Sequence, residues 1–128
     1  MATLAPRLQV IESYRGHAFR VSGVRHAGSV LVFRERTAPW PVAAFAEIDI
    51  DALARAVAEA SADPLAGPVE LLLLGCGARL LPPPAVLRAR LRELGVAVEP
   101  MDTGAACRTY NVLAAEERRV AAALIAVA

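Results

Sequence analysis

Residues 69–74 read VELLLL, apolar except for Glu70, and the run stops at Gly75-Cys76-Gly77, one arginine and three prolines. Six residues between turn signals fit a buried strand better than a helix. After Pro84 the spacing turns helical: Leu87, Leu91 and Leu94 align over Ala85–Leu94, and Gly95 stands where a C-cap glycine belongs. Val96–Met101 reads as the next strand. Thr103 offers an N-cap hydroxyl to a helix from Gly104 to about Glu117, with Ala106, Tyr110 and Leu113 inward. Strands alternating with helical crossovers of this length argue for an α/β fold with parallel neighbours.

The first half extends the pattern. From Val10 to Phe33 the β-branched and aromatic residues, punctuated by Gly16, Gly23 and Gly28, predict two or three short strands, the last more buried. Thr37-Ala-Pro-Trp-Pro41 is expected to be a loop, because two prolines oppose both helix and ladder. Asp49–Ala62 is helical, with Asp49 as N-cap and Leu53, Val57 and Ala60 on one face. Asp51, Arg55 and Glu59 are spaced for i,i+4 pairs on the other. Asp63–Pro68 breaks the chain. The apolar tail 120–127 fits a helix or a buried strand, and periodicity does not choose between them.

At 128 residues the chain is expected to be one domain, and 56% hydrophobic against 21% charged residues makes it globular. The formal charge is +1 and no stretch concentrates basic residues, so nucleic acid is not an expected partner. All 14 basic residues are arginine, which removes Schiff-base and P-loop lysine chemistry and, with abundant alanine, points to a GC-rich bacterial genome. Cys76 and Cys107 are too few for a disulfide scaffold and match no zinc spacing. The first twenty residues lack a signal-peptide core, and no apolar run reaches the roughly 20 residues of a membrane helix. A soluble, cytoplasmic protein without membrane insertion is expected.

Three stretches, LLLLGCGAR, MDTGAACRTYNVLAAE and RRVAAALI, together resemble the Mth-like domain family. That family takes in the adipogenesis-associated Mth-like domain protein, a mitochondrial complex I assembly factor and bacterial proteins without an assigned activity. The resemblance implies a single compact α/β domain over residues 1–128, with a central mixed sheet flanked by helices and an additional N-terminal β element. It also implies that the tail is a strand, and it supplies no reaction. The family's turn usually reads Gly-Thr-Gly, and Cys76 stands at the middle position here.

Several residues are candidates for chemistry. Gly75 and Gly77 could present backbone N–H groups to an anion, with Arg79 adding a bidentate contact. Two glycines do not make the Rossmann pattern, however, and Pro82–Pro84 remove three donors, so a tight strand-to-helix connection carries more weight. Cys76 near a helix start and an arginine could be activated, but a thiol nucleophile needs a base, and His17 and His26 both lie in the N-terminal β region. Cys107 reads as a small core residue. If the loops after the two strands share a sheet edge, Arg79, Asp102, Thr103, Arg108 and Asn111 converge on a crevice suited to a small anionic ligand. The competing reading, Thr103 as a cap and Asp102 paired with Arg79, weighs more. Trp40 in its proline-stiffened loop suits an interface anchor, against the stronger alternative of packing over the sheet edge. No metal site and no cofactor are expected. The expected function is a non-enzymatic binding or assembly-factor-like domain whose partner is another protein, and exposed sheet edges leave a homodimer open.

Overall fold

Tail residues Val120–Leu124 form a strand, and that strand organises everything else. The structure, a computed structural model, describes residues 8–64 and 67–128. The expectations for residues 1–7 of the N-terminal stretch and for residues 65–66 of the Asp63–Pro68 break lie outside the described residues. In chain order the strands are β1 (Ile11–Ser13), β2 (Ala18–Val21), β3 (Val24–Ala27), β4 (Val30–Val32), β5 (Thr37–Pro39), β6 (Leu71–Gly75), β7 (Ala97–Met101) and β8 (Val120–Leu124). The helices are α1 (Ile50–Ser61), α2 (Ala85–Glu93) and α3 (Thr103–Ala115), and a short 3-10 turn spans Phe45–Glu47.

Five strands form a mixed sheet in the order β5-β4-β8-β6-β7. β8 pairs antiparallel with β4 and parallel with β6, and β6 pairs parallel with β7. The sheet separates two apolar layers. Leu72 and Leu74 of β6 and Ala121 and Ala123 of β8 pack with Leu53 and Val57 of α1 and Leu87 and Leu91 of α2. Leu73, Val120, Ala122 and Leu124 face the other way, against Ala106, Cys107, Tyr110 and Ala114 of α3 and Phe19 and Val21 of β2. A strand covered on both faces must be apolar at every position, which is why its periodicity did not separate strand from helix.

The N-terminal β element is a separate antiparallel sheet, β1-β2-β3, on the α3 side. Its β2–β3 hairpin turns through Ser22 and Gly23, whose φ values of 45° and 84° fit the twist of a two-residue hairpin. The region from Val10 to Phe33 therefore holds four strands, not two or three.

Four further expectations are corrected. Thr37–Pro39, expected as loop, pairs antiparallel with β4, Pro39 opposite Val30. Trp40 N–H donates to Ser29 C=O at 2.9 Å. The alternation then turns Pro39 outward, where an edge strand needs no donor. Leu94 is exposed at the end of α2 rather than aligned with the buried Leu87 and Leu91. Asp51 pairs with Arg90 of α2 instead of with Arg55. Asp102, not Thr103, caps α3, its side chain accepting from Ala105 N–H at 2.9 Å.

The opposite edge has the same device. Ala97 N–H donates to Glu70 C=O and Cys76 N–H to Met101 C=O, at 3.0 and 2.8 Å, so Val98 and Pro100 turn their backbone groups outward. Pro100 has no donor, and the Val98 carbonyl is taken by Arg88 Nη1 at 2.9 Å. Among the described residues no helix is long and apolar enough to cross a membrane.

Candidate functional site

The ends of β6, β7 and β8 meet where α/β sheets build their ligand crevices. Here that meeting point is filled. Thr103, 0% exposed, donates its hydroxyl to Ile125 C=O at 2.7 Å and accepts from Gly77 N–H at 3.0 Å. Its own N–H donates to Gly77 C=O at 2.8 Å, while Ile125 N–H donates to Gly75 C=O at 3.0 Å. One hydroxyl thus ties all three strand ends together, which leaves it no part in capping α3.

The Gly-Cys-Gly turn follows from the same contact. A Cβ on Gly75 would stand 3.1 Å from Thr103 Oγ1, 3.2 Å from Thr103 Cα and 3.0 Å from Leu124 Cδ2, so a side chain there would force Thr103 or Leu124 to give way. Gly77 has open space but adopts φ +107°, which side chains rarely tolerate. Glycine spacing here serves the joint between loops.

The remaining candidates are placed around this joint rather than in one crevice. Arg79 is exposed, and the expected Asp102–Arg79 pair is not formed; the ion pairs among the described residues are Arg90–Asp51 and Arg119–Glu70. Arg108 is exposed on α3 and donates to Tyr14 Oη at 3.4 Å. Asn111 braces β1: its Nδ2 donates to Ile11 C=O at 2.8 Å and its Oδ1 accepts from Ile11 N–H at 2.9 Å. Tyr14 lies across the start of α3, where a Cβ on Gly104 would stand 3.0 Å from its hydroxyl. A shallow depression of about 230 Å³ brings Arg15, Gly77 and Asp102 together beside it.

Both cysteines are free, buried and on opposite faces of the sheet. Cys76 Sγ lies 3.4 Å from the carbonyls of Leu74 and of Leu81, so the thiol fastens the proline loop back onto its strand. Cys107 lies among the apolar residues of α3. Burial pushes its thiol up from 9.0 to about 12; Arg108 opposes this and Asp102 adds to it. Such a group is protonated at neutral pH and a poor nucleophile.

A wider concavity of about 550 Å³, unseen in the sequence, lies at the same end of the sheet, beside β4 and β5, lined by His17, Ser29, Trp40 and Glu47 among small apolar residues. Trp40 is 5% exposed and packs into the α1–α2 layer. Ser29 is spent on structure, donating to Val42 C=O at 2.6 Å and accepting from Ala126 N–H at 2.9 Å. Only the Pro-Trp-Pro sequence hinted at this place; the other walls come from segments far apart in the chain.

Residues 11–125 match the family described as "Protein of unknown function (DUF498/DUF598)". An uncharacterized protein of Rhodobacter capsulatus is 42% identical over 115 residues, covering 90% of this chain and 82% of that one. The NADH dehydrogenase 1 alpha subcomplex assembly factor 3 of Danio rerio is 34% identical over 116 residues, 91% of this chain but 63% of that protein, so the chain spans less than two thirds of it. Among solved structures, one described as an outer membrane protein from Bartonella henselae superposes with a TM-score of 0.83 at 34% identity, covering 96% of this chain and 98% of its own. A Bordetella pertussis protein described as a Mth938-like domain gives 0.77 at 34% identity, covering 98% and 92%.

Proposed function

The chain belongs to the DUF498/DUF598 family, with the Mth938-like fold and kinship to complex I assembly factors, and from this we propose a non-enzymatic binding domain that engages another protein. One observation carries the reading. Leu80 and Val86 are 57% and 60% exposed on either side of Pro82–Pro84, a ledge of apolar side chains on a segment that is already stiff. Prolines fix φ, and the Cys76 thiol holds Leu81, so docking this ledge costs little ordering entropy. Arg79 is the one charged residue between Glu70 and Arg88, which leaves the ledge mostly apolar.

We place this work in the cytoplasm, where two unpaired thiols are stable. The test uses the whole chain as bait against bacterial lysate, beside a Leu80→Ser/Val86→Ser variant of equal thermal stability. The reading expects a partner held by the parent and lost by the variant. Equal capture by both, or turnover of a small molecule by the purified chain, overturns it. A small anion is the second reading, with Arg15 in the shallow depression as its contact, since the Gly77 N–H beside it is already donated to Thr103 Oγ1. It expects phosphate to raise the melting temperature of the parent and not of Arg15→Ala.

A further inference from the structure

The concavity beside Trp40 has a chemistry of its own. Its walls are mostly apolar and small, with Ala27, Pro39, Trp40 and Pro41 among them. Its volume of about 550 Å³ falls within the range, roughly 300–1,000 Å³, of small-molecule sites. Among the described residues no arginine lines it, and Glu47 is the one lining residue of fixed charge there. Glu47 Oε1 accepts from the N–H groups of Ala43 and Ala44 at 3.0 and 3.3 Å, which aims the carboxylate, and among the described residues it has no ion-pair partner. His17, on the rim, offers a further ring nitrogen.

We propose that this dish binds a free small organic cation with a flat apolar body, of the arylalkylammonium class. The ring would lie against Trp40 and its flanking prolines, and the ammonium would reach Glu47. An anion meets no fixed positive charge among the described residues that line the dish. The tip of a lysine from a partner protein would leave most of the dish to water, so a whole small molecule is the better fit. The floor is preformed, since Trp40 is packed into the core and Ser29 is locked by two hydrogen bonds.

Trp40 is the chain's sole tryptophan, so binding reads out directly in its fluorescence. Benzylammonium chloride, titrated into the whole chain at constant ionic strength, is expected to shift the emission saturably in the millimolar range. Benzoate should give no saturable shift, and n-butylammonium, standing for a lysine side chain, should bind more weakly. Glu47→Gln keeps the Oε1 acceptor for Ala43 and Ala44 but removes the charge, and should weaken benzylammonium about threefold or more. Glu99→Gln, far from the dish, should change nothing. Benzoate binding as well as benzylammonium, n-butylammonium binding as tightly, an unchanged Glu47→Gln, an equal loss in Glu99→Gln, or no saturable shift at all overturns the proposal.

Discussion

Replacing Thr103 by valine keeps the shape of the side chain and removes the hydroxyl that joins three strand ends. Two partners are orphaned: Ile125 C=O loses its donor at 2.7 Å and Gly77 N–H loses its acceptor at 3.0 Å. A buried group left without a partner costs about 1–3 kcal/mol. Gly77 is half-buried and can recover part of its loss from water, so the sum for Thr103→Val is about 2–4 kcal/mol. Thr103→Ser keeps both bonds and gives up one buried methyl, worth about 1 kcal/mol. Urea denaturation followed by Trp40 fluorescence separates the two, provided the m-value is unchanged. Hydrogen exchange adds a local readout, since the Gly77 amide should lose protection in the valine variant and keep it in the serine variant. The reasoning fails if Thr103→Val lies within about 0.5 kcal/mol of the parent, the ordinary scatter of neutral substitutions. It also fails if serine is as damaging as valine.

Other consequences follow from the same structure. Gly75→Ala should destabilise by about 1–3 kcal/mol through overpacking against Thr103, and Gly77→Ala by a similar amount through backbone strain; calorimetry finding either one neutral would contradict the geometry of the turn. Cys107 holds its proton to about 12 when folded and to 9.0 when unfolded, so stability is intact below pH 9 and declines as pH climbs from 9 towards 12. Tyr110, also raised by burial, adds to that decline above its ordinary value of 10.0. Cys107→Ala should therefore flatten the loss between pH 9 and 10.5 by about 2 kcal/mol, read from urea midpoints across that range. Restoring donors at both sheet edges with Pro39→Val and Pro100→Val should raise self-association in concentration-dependent light scattering, and an unchanged scattering profile would show that the prolines are not what blocks the edges.

The parts of the fold legible in the sequence are those set by local burial. Residues 71–74 are apolar because β6 is covered on both faces, and the α2 spacing of Leu87 and Leu91 follows from one buried stripe. Strand β5 was not legible, because whether a proline is tolerated depends on lying at an edge, a fact about neighbours in space. The candidate site was legible in its residues and not in its arrangement. Thr103 meets Gly77 and Ile125 across 26 and 22 residues, and Asn111 meets Ile11 across 100. Hydrogen-bonding side chains at strand ends look alike in one dimension whether they wait for a ligand or for each other. The Trp40 concavity was hidden for a related reason: its walls come from residues 17, 27–29, 39–43, 47 and 126.

The two outward-facing prolines bear on how this chain meets copies of itself. An unpaired sheet border is a template onto which neighbouring copies can zip. Pro39 and Pro100 deny them a regular ladder on either side, and Arg88 occupies one of the acceptors that remain. On the five-stranded sheet, pairing through the backbone is thereby disfavoured and contacts fall to side chains. The borders of the five-stranded sheet act as a filter on company.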